Sequence, residues 1–179
     1  MKLRIKVKRI NKTLDLPKVI HKGDWIDLRA SRKVTLQGPQ AGTLKYHEVN
    51  GEKVGHRDVE FDYDKIPLGV AIGLPMGLEA HVLPRSSTFS KFGIMMSNSE
   101  GIVDYTYQGD NDEWMFPAVA FRDTTIEMGD RICQFRIQLS QKATLYQKLM
   151  WLLSSGIEIV EVEHLGKPNR GGLGSTGIR

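Results

Sequence analysis

The chain has 179 residues, 40% of them hydrophobic and 26% charged, enough for one domain with a real core. Its net charge of +4 is mild and no Lys/Arg block occurs, so stable nucleic-acid binding is not expected, whereas a few clustered cations suit a small polyanion such as a triphosphate. The single cysteine excludes an internal disulfide and a cysteine-zinc site, no apolar run approaches a membrane span, and the basic start has no apolar stretch of signal-peptide length, so the expectation is a cytoplasmic protein without membrane binding.

Residues 2–10 alternate Leu3, Ile5 and Val7 with Arg4, Lys6 and Lys8, which predicts an antiparallel strand with one wet face. Asp24 and Asp27 follow near a strand, and 34–36 reads as another short one. Asn50-Gly51, between Tyr46-His47-Glu48-Val49 and Val54, marks a hairpin within 42–63, with Val59, Phe61 and Tyr63 at period two. Ile66–Leu74 and Leu78–Leu83 read as strands joined by Pro75-Met76-Gly77, and Phe116–Phe121 and Arg131–Leu139 as two more. Cys133, in an apolar run, reads as a buried thiol. Lys142–Leu153 carries an apolar stripe (Leu145, Tyr146, Leu149, Met150, Leu152, Leu153) and predicts a helix, with Gly156 placed to end it before a strand at Ile157–Val162. Frequent glycine turns between short strands favour an all-β class.

Five segments share a chemical theme. In Gly101–Asp110 two glycines bracket Asp104 and Tyr107, which predicts a hairpin with a carboxylate at its bend. Such a carboxylate can orient or deprotonate a water, and the aromatic can stack under a ring or a sugar; a solvated acidic turn with one core Tyr accounts for the same residues. Asp24–Arg29 adds two acids three apart. Pro84–Thr88 ends a strand with Arg85, Ser86 and Ser87, good anion ligands. Gly129–Gln134 is a tight turn leading to Arg131 and Gln134. From Gly166 onward glycines replace core-forming residues, either as a flexible tail or as backbone that folds over an anion. The five histidines are scattered, which gives zinc catalysis no support.

Taken in order, Asp24–Arg29, Pro84–Ser87, Asn98–Asp110, Gly129–Gln134 and Arg170–Gly177 resemble the five motifs of the trimeric dUTPases (dUTP diphosphatases), over about 150 residues of this chain by the span of those motifs. The resemblance implies a jelly-roll-like β-barrel or sandwich with one helix and a flexible glycine-rich C-terminal arm. It implies hydrolysis of dUTP to dUMP and pyrophosphate with Mg²⁺, limiting uracil in DNA and supplying dUMP for thymidylate synthesis. It also implies a homotrimer with active sites shared between subunits. By position Asp104 matches the general base, and Tyr107 the aromatic that packs on deoxyribose. Asn98, Gly101 and Val103 fall in the uracil-reading hairpin. Ser86 and Gln134 match phosphate contacts, with Arg85 and Ser87 beside them. Asp27 matches the acid that holds Mg²⁺ through water. Arg170, Gly174, Ser175 and Thr176 match the closing arm. The expected division is a β domain over 1–166 and an arm over 167–179 that closes over a neighbouring subunit's site.

Three departures stand out. Leu173 occupies the position before Gly174 where the family closes its arm with an aromatic; Phe92 is the lid candidate, with Phe89 as the other ring in reach. Asp110 replaces the usual Glu, and the acids of 111–113 have no assigned role. Residues 38–63 and the helix at 142–153 look like insertions, through which a protein partner is possible. A dCTP deaminase of the same fold is the nearest rival, disfavoured by Tyr105 after Asp104 and by the absence of Glu from 116–121. A regulatory binding module is the other alternative.

Overall fold

The computed structural model describes residues 2–20 and 23–172. In chain order the described elements are β1 (Leu3–Arg9), β2 (Ile26–Arg29), β3 (Val34–Leu36), β4 (Gln40–Val49), β5 (Glu52–Glu60), β6 (Tyr63–Pro67), β7 (Val70–Gly73), β8 (Leu78–Pro84), α1 (Thr88–Phe92), β9 (Ile94–Met96), β10 (Gly101–Asp104), β11 (Met115–Ala120), β12 (Thr124–Ile126), β13 (Arg131–Leu139), α2 (Leu145–Leu152) and β14 (Ile157–Glu161). They form a jelly-roll-like β-sandwich. Its main sheet has the order β10-β8-β13-β2, flanked by β14-β1-β7, β6-β11-β9 and the pair β12-β3.

Period-two alternation builds the main sheet. On β8, Leu78, Ala80 and Val82 point into the core while Glu79, His81 and Leu83 form the opposite face. β13 continues the pattern, with Phe135 and Ile137 inward and Gln134, Arg136 and Gln138 on the polar side. The core closes around Trp114, Phe116 and Phe135, and the rings of Trp114 and Phe135 meet edge to face at 5.2 Å. Such a pair contributes about 0.5–1.5 kcal/mol beyond its area burial. Cys133 is buried as expected, and burial followed by the nearby Asp27 charge pushes its thiol pKa far up, which makes it inert.

The structure departs from the sequence reading in several places. β1 is antiparallel to β7 on one side but parallel to the C-terminal β14 on the other. The apolar run 66–74 is two strands, because Gly69 takes a φ of +70 and its N–H leaves the ladder for the Glu113 carboxylate at 2.8 Å. α1 is a single turn of helix closed by Gly93 in the left-handed region, too short for periodicity to reveal.

The hairpin at 40–60 forms around Asn50 (φ 53) and Gly51 (φ 82), the positive-φ pair that a two-residue turn needs. Among the described residues its strands pair only with each other. α2 forms on a Thr144/Gln147 capping box, yet none of its residues is buried. Its stripe of Leu145, Leu149 and Leu152 faces outward, and only Trp151 packs on the core.

Candidate active site

Among the described residues β10 is the edge strand of the main sheet, so one side of its backbone has no strand partner there and can hydrogen-bond a ligand. Gly101, Ile102 and Val103 line a cleft of 220 Å³ there. Val82, Met96, Trp114 and Met115 supply its apolar wall; Asn98, Asp104, Tyr107 and Arg170 supply polar groups. The volume, formed by the described residues, lies below the about 300–1,000 Å³ of sites that enclose a whole drug-sized ligand.

Asp104 ends β10 at the rim. Its Oδ1 accepts the Thr106 N–H at 2.7 Å and the Thr106 hydroxyl, the local turn that Asp favours. The Arg170 guanidinium donates to both carboxylate oxygens at 3.0 and 3.2 Å. Burial pushes the Asp104 pKa up, but the Thr106 hydrogen bonds and the Arg170 charge outweigh it, so the carboxyl stays below its ordinary range. The group is therefore ionised at neutral pH and able to accept a proton.

The Tyr107 hydroxyl donates to the Glu113 carbonyl at 2.9 Å, which fixes the ring plane. Burial first, and then Asp112 and Glu113, raise the Tyr107 pKa, so the phenol stays neutral. Gly172 packs against this ring so closely that a Cβ there would lie 3.0 Å from it.

A second cluster forms at the far end of the sheet. Asp27 accepts from Arg85 at 2.8 Å and from Arg131 at 3.0 Å. The turn after β8 is locked by Thr88, whose hydroxyl accepts the Arg85 N–H at 3.0 Å and donates to the Ile132 carbonyl at 2.7 Å. That leaves Ser86 and Ser87 exposed at the start of α1, with the Ser87 side chain free of any capping bond. Gln134 lies directly across from Asp27.

The two clusters share one face of the sheet but not one position. Asp104 pairs with Glu79 on β8, and Gln134 pairs with Leu83 on the same strand. Four residues of strand rise and two strand spacings put their backbones roughly 17 Å apart. Arg85, Ser86, Ser87 and Gln134 are accordingly absent from the cleft wall.

One expected site residue needs correction. Phe92 cannot be a lid, because it is 4% exposed and packed in the core. Phe89, 52% exposed and edge-on to Phe121 at 5.8 Å, is the accessible ring of α1. Spacing alone could not tell them apart, since the inward face of a one-turn helix is chosen by what surrounds it. The segment 101–110 is a strand end and a turn rather than the expected hairpin, because β10 pairs with β8 and not with the next strand, and residues 170–171 of the described arm rest on the loop that follows β10. Leu173, Gly174, Ser175 and Thr176 lie outside the described residues.

Sequence reasoning missed Thr106, Met115 and the structural use of Asp112 and Glu113. An Asp-x-Thr turn signal was available for the first, but nothing in the spacing pointed to the others. Among the described residues, no group of three or more His, Cys, Asp or Glu converges as a metal cage.

The family model described as dUTPase matches residues 59–150. The SPbeta prophage-derived deoxyuridine 5′-triphosphate nucleotidohydrolase YosS of Bacillus subtilis is 40% identical over 177 residues, covering 99% of this chain and 100% of that protein. Among solved structures, a Staphylococcus bacteriophage 80alpha dUTPase variant with dUpNHpp superposes with a TM-score of 0.56 at 17% identity, over 97% of this chain and 98% of that one. A variant dUTPase from phage phi11 of S. aureus, described with a structural Mg(II) ion, gives 0.57 at 15% identity over 79% and 94% of the two chains. With a family model covering half of its length and a relative this similar end to end, the chain belongs to the dUTPase family.

Proposed function

We propose that this chain hydrolyses dUTP to dUMP and pyrophosphate, with Asp104 as the base that activates the attacking water. The observation that carries the reading is a carboxylate held ionised on the rim of a cleft edged by unpaired strand backbone. The water attacks the α-phosphorus, its proton passes to Asp104, and the bond from that phosphorus to the bridging oxygen breaks to release pyrophosphate. Uracil lies against Asn98, Gly101 and Val103. Cytosine would reverse a donor and an acceptor there, leaving buried groups unpaired at about 1–3 kcal/mol each. Tyr107 packs on the deoxyribose and leaves no room for a 2′-hydroxyl.

Arg85, Ser86, Ser87 and Gln134 hold the phosphates. Their roughly 17 Å backbone offset from Asp104, on two strand spacings and four residues of rise, supports a site assembled from more than one copy, and thus a homotrimer with shared sites. The arm, through Arg170 and the Gly174-Ser175-Thr176 segment, closes over the bound nucleotide and excludes water. In the cell the reaction removes dUTP before it enters DNA and supplies dUMP for thymidylate synthesis.

The donor set suits Mg²⁺ only in one way. Asp27 has both oxygens engaged by arginines, so it forms no preformed cage with other acids. It fits a hard cation that arrives on the triphosphate and keeps its own waters, one of which Asp27 would hold. Such an ion, when bound, would neutralise phosphate charge. Arg85 and Arg131 do the same work from the protein side.

The test is pyrophosphate release from dUTP, dTTP, dCTP and UTP, each with and without Mg²⁺. Preference for dUTP supports the reading. Ammonia release from dCTP, or equal turnover of UTP, overturns it.

A further inference from the structure

The hairpin of β4 and β5 brings two histidines together on one face. Lys45 lies across from His56 and His47 across from Val54, so the two imidazoles are diagonal neighbours, with Glu52 and Asp58 on the same face. Their Nδ1 atoms are 3.1 Å apart, and the rings meet at 68° with centroids 5.0 Å apart. On the far side of the His56 ring, Nε2 lies 3.8 Å from Asp58 Oδ1.

Two ring nitrogens aimed at each other can share one proton or one metal ion. A proton makes an N–H···N hydrogen bond with one ring as donor. Zn²⁺ held tetrahedrally by two imidazoles, with its usual Zn–N distances, sets the nitrogens about 3.3 Å apart. The 3.1 Å in the hairpin is close to that spacing, so an ion enters with little movement of the strands. Asp58 favours the same state. A proton on His56 Nε2 faces the carboxylate and leaves Nδ1 with its lone pair, the arrangement common among metal-binding histidines. When the ion binds, the His47 proton moves from Nδ1 to Nε2, so both rings stay neutral and the pair loses no proton. The charges on this face permit a cation, since Asp58 holds Lys45 and Glu52 adds a second acid.

We propose that His47 and His56 form a binding site for one divalent transition-metal ion of the zinc, nickel or copper class, which staples β4 to β5. Imidazole suits these ions, whereas Mg²⁺ takes oxygen ligands. Among the described residues no group of three His, Cys, Asp or Glu converges, so water completes the coordination and the affinity is micromolar. The staple acts where the fold is weakest. Among the described residues β4 and β5 pair only with each other, and a two-stranded hairpin by itself is marginally stable. No residue of 40–60 lines the cleft beside Asp104, so the site stands apart from dUTP hydrolysis.

The experiment titrates Zn²⁺ into the metal-free, full-length chain by calorimetry and follows the hairpin by amide hydrogen exchange. One ion binds per chain with a micromolar Kd, and millimolar Mg²⁺ does not compete. His47→Ala or His56→Ala weakens binding at least about tenfold, and the double variant is within about threefold of either, because the rings act as one unit. His164→Ala, at another exposed histidine, leaves binding unchanged. With Zn²⁺ at about ten times Kd, exchange in 45–48 and 53–56 slows about tenfold, the factor expected when opening releases the ion. In His47→Ala it does not slow. Both substituted positions are exposed, so the melting temperature without metal stays near that of the parent chain.

Equal Zn²⁺ affinity in the parent chain and the double variant overturns the site, because other surface groups would then hold the ion. Binding that depends on both histidines yet leaves hairpin exchange unchanged overturns the staple.

Discussion

Replacing Asp104 by Asn removes the base while leaving its surroundings nearly unchanged. The Asn oxygen can still accept the Thr106 N–H, so the turn at the end of β10 is kept. What is lost is the charge. General-base catalysis is worth about 10²–10⁴-fold, or about 2.7–5.4 kcal/mol at 1.36 kcal/mol per tenfold. The stability cost is far smaller. The Asp104–Arg170 pair has side chains 41% and 42% exposed, and solvent-screened pairs of this kind contribute about 0–1 kcal/mol. In a chain of this length that is at most about 4 °C in melting temperature. Steady-state pyrophosphate release should therefore show kcat reduced by about 10²–10⁴ with KM within a few-fold, beside a thermal melt close to that of the unmodified chain. Near-normal kcat, or a fall in kcat matched by a collapse in melting temperature, would refute the assignment of Asp104 as base.

The pKa of Asp104 supplies a pH prediction. Thr106→Val removes one of the hydrogen bonds that hold the carboxyl below its ordinary range. A depressed pKa keeps the active carboxylate present down to low pH, with activity lost as pH falls through it. The substitution raises that pKa, so the acidic limb of the kcat/KM profile moves to higher pH; an unmoved limb would mean that another group controls it. Phe92→Ala opens a cavity in the core and should cost about 3–5 kcal/mol in thermal or denaturant unfolding, whereas Phe89→Ala, at an exposed ring, should cost under about 1 kcal/mol. Equal costs would contradict the burial pattern. Replacing residues 40–60 by a short turn should leave dUTP hydrolysis within a few-fold of normal, since β4 and β5 pair only with each other; loss of turnover in a folded product would give the hairpin a catalytic role.

Much of this molecule was legible before any coordinates. Alternation at Leu3–Arg9 and Arg131–Leu139, the Asn50-Gly51 turn and the periodicity of 142–153 each report on neighbours within one element, where backbone geometry alone fixes the pattern. The order of the motifs and the bracketed Asp104 and Tyr107 pointed to the candidate site for the same reason, because β10 is a local unit. The inward choice of Phe92 over Phe89 was not local. Neither was the outward stripe of α2, nor the parallel seam between β1 and β14, since each depends on what packs against it from far along the chain. The acids of 111–113 looked like surplus charge in one dimension. Only folding brings Arg170 and Gly171 to Asp112, and only folding sets Asp104 and Gln134 on one face, two strands apart. Sequence determined which elements and reactive groups this chain has, because propensity and spacing act over a few residues. Tertiary structure decided which of those groups meet, because contacts between distant segments are set by burial and sheet register.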